Sequence, residues 1–135
     1  DIHAPINGLY TALNNAKTDW ILLLSCDLPL IDSKVFKKLW ELRNENCDPV
    51  IPIANDKMQV TCGFYHKRIF PTLDSEIQRE NFSLFKLLEK LNTTYVKFGE
   101  DDRFLNMNTP EDHEALLIEG DKYYRIFANG EKEEI

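Results

Sequence analysis

The apolar positions change period several times along the chain. Residues 4–19, "APINGLYTALNNAKTD", open with a Pro and Gly turn and continue with Leu9, Ala12, Leu13 and Ala16 at helical spacing. "DWILLLSCD" (19–27) is apolar on both faces and bounded by Asp, the pattern of a central parallel strand covered by helices on both sides. Leu28-Pro29 ends it, Asp32 or Ser33 caps a helix facing inward with Val35, Phe36, Leu39, Trp40 and Leu42, and "DPVIPIA" (48–54) is a strand whose Pro52 predicts an edge position. "QVTCGFYH" (59–66) reads as a strand. Two helices follow, over 67–78 and over 83–91, the second capped by Ser83 with Leu84, Leu87, Leu88 and Leu91 inward. Strands are predicted at 94–98 and 103–107 and a helix over 109–120. In the tail, Asn129-Gly130 signals a hairpin, although its second arm, Glu131 to Glu134, is too charged to be a strong strand. Strands alternating with helices predict an α/β layered sheet over residues 1–120, followed by a tail at 121–135.

Composition narrows the class. A length of 135 residues suits one domain, and 43% hydrophobic with 29% charged residues suits a globular core. The run "WILLLSC" is far too short to span a bilayer, and the chain does not open on a signal peptide. A net charge of −7 argues against nucleic acid and anionic membranes as partners, yet is compatible with a nucleotide held by a metal ion and backbone amides. Cys26, Cys47 and Cys62 form no CxxC pair, as expected in a reducing compartment. His3, His66 and His113 are too scattered to suggest zinc.

The chemistry candidates cluster where strands end. Asp27 follows the apolar run 20–26, at the carboxyl end of a central strand, where open α/β sheets bind ligands. A carboxylate there could hold Mg²⁺ together with phosphate oxygens, or could be a plain turn residue. In "FLNMNTPED" (104–112), Asn106 and Asn108 share one side of an extended segment. Asn108 or Thr109 has a sufficient account as the cap of a helix whose first position suits Pro110. Asn106 does not, and its amide could bind a phosphate, a hydroxyl or a heterocycle edge. The "APING" turn (4–8) could offer backbone amides to an anion, and Arg79 and Lys86 are among the few cations in reach of an anionic substrate, although each also reads as a solvated face. There is no G-x-S-x-G, paired Cys/His signal or Gly-rich phosphate loop.

"WILLLSCDLPLI", "GFYHKRIFPTL", "SLFKLLEKL" and "FLNMNTPED" occur in the order found in molybdenum cofactor guanylyltransferases of the MobA type, and "APINGL" sits where that family has Gly-Pro-Leu-Ala-Gly. The resemblance runs from residue 4 to about 118. It implies a three-layer, Rossmann-like nucleotidyltransferase sheet, incomplete at the amino-terminal end because the family's Gly-rich GTP-phosphate loop has no counterpart here. It implies transfer of GMP from GTP to molybdopterin in the cytoplasm, with Mg²⁺ as cofactor and pyrophosphate released. Asp27 matches the metal-binding aspartate, Asn106 and Asn108 match the asparagines near the pterin and the reacting phosphates, and Pro5 and Gly8 match the turn bordering the pterin. GTP and molybdopterin would be the small-molecule partners, with room for contact with other molybdenum cofactor biosynthesis proteins. The 135 residues alone are expected to be the carboxyl-terminal part of the enzyme and inactive. Asn7 and Ala4 depart from the family's Ala and Gly, "RENFSL" leaves its arginine unmatched, and the tail after Gly120 has no counterpart. A CTP-using or sugar-phosphate nucleotidyltransferase, or a non-catalytic domain of the same fold, would share these motifs.

Overall fold

A computed structural model describes residues 4–25, 28–44, 46, 48–105, 115–119, 122–126 and 132–134. Helix α1 (Ala4–Asn14) leads to strand β1 (Trp20–Ser25) and helix α2 (Ser33–Glu41). Strands β2 (Pro49–Ala54), β3 (Lys57–Met58) and β4 (Cys62–His66) follow. Next come helices α3 (Phe70–Gln78) and α4 (Leu84–Glu89), then strands β5 (Thr94–Gly99), β6 (Ala115–Glu119), β7 (Lys122–Ile126) and β8 (Lys132–Glu134). All eight strands form one mixed sheet in the order β3-β2-β4-β1-β6-β7-β8, with β5 on the free side of β2.

The pleat of the strands divides the core in two. Ile21 and Leu23 of β1, Ile51 of β2 and Tyr65 of β4 point to one face, where Leu9 and Leu13 of α1, Leu73 of α3 and Leu87 and Leu88 of α4 bury them. Leu24, Val50, Ala54 and Cys62 point to the other, covered by Val35 and Leu39 of α2. The three layers predicted from sequence are therefore present, with α1, α3 and α4 on one side and α2 on the other. Caps follow the local sequence. The Asp32 carboxylate accepts the N–H groups of Lys34 and Val35 at the start of α2, and the Ser83 hydroxyl accepts from Lys86 in α4. Beyond its last turn, Leu42 is 51% exposed rather than part of the inward face.

Several expectations are corrected. Strand β1 is central, but both its neighbours, β4 and β6, run antiparallel, and the parallel pair among the described residues is β2 with β5. Continuous apolarity reports burial on two faces, whereas the direction of a neighbour is set by the connections. Strand β2 is interior despite Pro52. It pairs with β4 through Pro49 and Val50 and with β3 through Ile53 and Ala54, so Pro52 falls in the gap between those two pairings. The Pro52 carbonyl faces that gap, accepting from Gln59 N–H at 2.9 Å, and a residue's N and C=O share one strand edge. The missing N–H therefore costs no ladder bond.

Residues 115–119 form strand β6 rather than the end of a helix, pairing Leu22–Ser25 with Ala115–Ile118. A four-residue apolar run is ambiguous by period alone, and the unpaired edge of β1 decides it by offering backbone partners. Residues 103–107 were expected to be extended, but Asp102–Phe104 is a 3₁₀ turn that Asp101 caps through Arg103 N–H. On either side of Asn129-Gly130, β7 and β8 pair through Ile126 and Lys132, and the charged arm does form a strand, at the sheet's edge. Charged residues suit such an edge because they discourage further strand addition. No helix among the described residues is long and apolar enough to cross a membrane.

Candidate functional site

The carboxyl end of β1 is where the sequence placed its chemistry. Asp27, Asn106 and Asn108 themselves lie outside the described residues. Their flanks, however, come together. Leu28, one position after Asp27, and Phe104, two before Asn106, are buried in the same core cluster. An ion pair of 3.3 Å joins Arg103 to Asp32, linking the same two stretches. At the end of β1, Ser25 N–H donates to the Thr61 carbonyl at 2.7 Å, bringing the loop before β4 to this point.

Two cavities meet beside Thr61. The larger, about 720 Å³, lies between the β2–β3 turn, the 59–61 loop, Phe85, Phe104 and Leu105. The smaller, about 230 Å³, lies between Pro5, the same loop and residues 82–85, and the two share Val60, Thr61 and Phe85 as walls. Phe85 and Leu105 are half exposed, at 49% and 51%, so the larger space has apolar walls open to solvent. Its polar lining includes Asn55, Lys57 and Gln59. The lining is thus divided between polar side chains from the β2–β3 turn and the 59–61 loop and apolar ones from Phe85, Phe104 and Leu105.

Of the predicted binding residues, Pro5 lines the smaller cavity. Gly8 is buried. Helix α1 begins at Ala4, so both belong to the helix and not to a turn before it. Pro is well suited to the first helical turn, where N–H groups lack intrahelical acceptors, so the chain need not leave helical geometry there. Arg79 and Lys86 are exposed.

The loop walls are held from behind. Tyr65, fully buried, donates from its hydroxyl to the Val60 carbonyl at 2.5 Å, and burial raises its pKa far above the usual phenol range. Glu76 of α3, 3% exposed, accepts from Lys90 Nζ at 2.5 Å and from Asn81 Nδ2 at 2.9 Å. These hydrogen bonds hold its carboxyl below the ordinary carboxylate range. They also pin the loop that brings Phe82 and Ser83 to the smaller cavity. Sequence reasoning missed these supports and the group Asn55, Asp101 and Arg103. The available signal was "ANDK", two turn-forming residues between two strand patterns. Among the described residues, no three His, Cys, Asp or Glu side chains gather into a metal cluster. At the opposite end of β1, a separate cavity of about 470 Å³ is mostly apolar, walled by Trp20, Leu22, Phe36, Trp40 and Phe64 with Thr18 and Asp19 at its side.

Residues 1–94 match the family model described as MobA-like NTP transferase domain. The chain belongs to that family. Within it, the chain is 31% identical over 113 residues to the molybdenum cofactor guanylyltransferase of Vibrio parahaemolyticus, covering 83% of this chain and 58% of that protein. It is 32% identical over 116 residues to a protein of Bacillus subtilis strain 168 named probable molybdenum cofactor guanylyltransferase, again covering 83% and 58%. The chain thus spans somewhat over half the length of these MobA-like relatives. A crystal structure of a protein from Aquifex aeolicus VF5 superposes with a TM-score of 0.68 at 30% identity, over 78% of this chain and 57% of that one. The molybdopterin-guanine dinucleotide biosynthesis protein A of Archaeoglobus fulgidus has the same fold, with a TM-score of 0.65 at 24% identity over 80% and 58%. The architecture is accordingly the α/β nucleotidyltransferase fold of MobA-like proteins.

Proposed function

We propose that the protein transfers GMP from GTP to the terminal phosphate of molybdopterin. A phosphate oxygen of the acceptor forms a bond to the α-phosphorus of GTP, the α–β phosphoanhydride breaks, and pyrophosphate leaves. The observation that carries this reading is membership of the MobA-like NTP transferase family, with relatives named for guanylyl transfer at 31–32% identity. The meeting of two cavities at the carboxyl end of β1, beside the flanks of Asp27 and Asn106, supports it.

In this reading the protein's work is positioning and charge stabilisation, since phosphoryl transfer leaves little covalent chemistry to side chains. Asp27 would hold Mg²⁺, for which one carboxylate with phosphate oxygens and water is a sufficient donor set. The ion would offset negative charge on the reacting phosphates. Asn106 and Asn108 would orient the acceptor's phosphate and pterin through their amides. Pro5 and the apolar walls Phe85 and Leu105 would border the pterin and limit water. A free, buried Cys62 suits the reducing cytoplasmic setting proposed for this chemistry. Because the chain spans 58% of the length of its curated relatives, the full reaction is proposed for the whole protein, and the 135 residues alone are proposed to bind Mg·GTP poorly.

The test is guanylyl transfer to molybdopterin by the whole protein. Asp27→Asn should reduce turnover by about a hundredfold or more while leaving the circular dichroism spectrum unchanged. Turnover by Asp27→Asn equal to the parent's would remove the aspartate from the mechanism. Product formed equally well from CTP would replace guanylyl by cytidylyl transfer.

A further inference from the structure

We infer that Asn55 is a positioning residue for the reaction proposed above, acting through a brace that sets the Leu105 wall of the larger cavity. Asn55 and Asp56 are the two residues between β2 and β3, whose flanking pair is Ala54 with Lys57. Their φ angles, 54° and 61°, are both left-handed, as the tightest hairpin turns require. That turn accounts for the residue type only in part. Glycine would satisfy the backbone equally well, with no side chain at all.

The Asn55 side chain does something else. Its Nδ2 donates to the Asp101 carbonyl at 3.1 Å, and its Oδ1 accepts the Asp101 N–H at 2.8 Å. The carboxamide thus engages both backbone polar groups of one residue 46 positions away. The Asn55 N–H adds a bond to the Gly99 carbonyl at 2.8 Å. Asp101 in turn accepts from the backbone N–H of Arg103 at 3.0 Å and from its Nε at 3.0 Å and Nη2 at 2.7 Å. Arg103 Nη1 reaches Asp32 at 3.3 Å, the same carboxylate that caps α2. The arginine's planar fork suits this double engagement, which a lysine could not reproduce.

Three stretches distant in sequence are therefore tied into one unit: the β2–β3 turn, the 99–105 segment, and the start of α2. The tie has a defined output. Within the 99–105 segment, Phe104 is anchored in the core at 2% exposure, while Leu105 stands on the cavity wall, one residue before Asn106. The turn itself, Asn55 to Lys57, forms the facing wall. Asn55 holds two walls of one cavity at a fixed spacing through two hydrogen bonds. This inference depends on the guanylyl-transfer reading only for what occupies that cavity.

The informative variant is Asn55→Gly, which keeps the turn and removes the brace. Its melting temperature should stay within a few degrees of the parent's, since glycine relieves the left-handed backbone as the bonds are lost. Amide hydrogen exchange at Asp101 and at Arg103 to Leu105 should accelerate about tenfold or more, with β1 and α1 unchanged. In the whole protein, kcat for guanylyl transfer should fall about 10- to 100-fold with KM for Mg·GTP unaltered. Asn55→Asp, which keeps the acceptor and loses the donor, should fall between. Unchanged exchange at 101–105, or loosened exchange with full turnover, would overturn the inference. If the parent protein performs no guanylyl transfer, the proposed reaction fails, and the exchange result alone decides the brace.

Discussion

Tyr65→Phe isolates one bond behind the candidate site. Tyr65 is fully buried, and its hydroxyl donates to the Val60 carbonyl at 2.5 Å. Val60 is a wall of both cavities and is itself 8% exposed. Phenylalanine keeps the ring and nearly all the packing, so the transfer and cavity contributions to the change are small. What is lost is a hydrogen bond with a net worth of about 0.5–1.5 kcal/mol, and the Val60 carbonyl loses its buried donor, for which the penalty is about 1–3 kcal/mol. These two figures describe the same event from different references and bracket the loss at about 0.5–3 kcal/mol. For a chain of 135 residues this corresponds to a fall in Tm of about 3–5 °C per kcal/mol. Urea unfolding followed by circular dichroism should show a lower midpoint with an unchanged m value. Tyr95→Phe, at a ring 39% exposed on β5, is the control and should change stability by less than about 0.5 kcal/mol. A Tyr65→Phe loss no larger than that of the control would refute the reasoning, because it would mean that water reaches the Val60 carbonyl and the wall is not held by this bond.

Two further outcomes follow from the same physics. Burial pushes the Cys62 thiol up to about 12, above the value of about 8.5 in an unfolded chain, so the folded state retains a proton that the unfolded state gives up. Its contribution is whole below about pH 8.5 and is lost as pH rises towards 12, at up to about 1.4 kcal/mol per pH unit. Denaturant midpoints measured from pH 8 to 11 should fall less steeply for Cys62→Ala than for the parent. At Asp56, with φ of 61°, substitution by glycine removes backbone strain, and Asp56→Gly should raise stability by about 0.5 kcal/mol, read as a higher urea midpoint.

The candidate site was legible in part. "DWILLLSCD" already marks a buried central strand, whose carboxyl end Ser25 ties to Thr61 on the wall of both cavities, while the expected role of Asp27 lies outside the described residues. The residues that support that place were not legible. Asn55 and Asp101, 46 positions apart, meet only because β2 and β5 lie side by side in the sheet. Glu76 and Lys90 meet only because α3 and α4 cover the same face. Such pairs leave no periodic trace, since each is one polar residue whose partner is set by packing.

The chain's own pattern was enough for the layers. Helical spacing in α1, α2 and α4, two-sided apolarity in β1, and the caps Asp32 and Ser83 are local properties, fixed by side-chain periodicity and backbone hydrogen bonding within a few residues. Direction, edge and ambiguity were decided by the tertiary structure. It set β1 antiparallel to both neighbours, placed Pro52 where no N–H is needed, and made Ala115–Glu119 a strand by giving its backbone the open edge of β1. In each case the local sequence is compatible with more than one arrangement. The choice falls to whichever leaves fewer buried backbone groups unpaired, and that is known only once the neighbouring strand is in place.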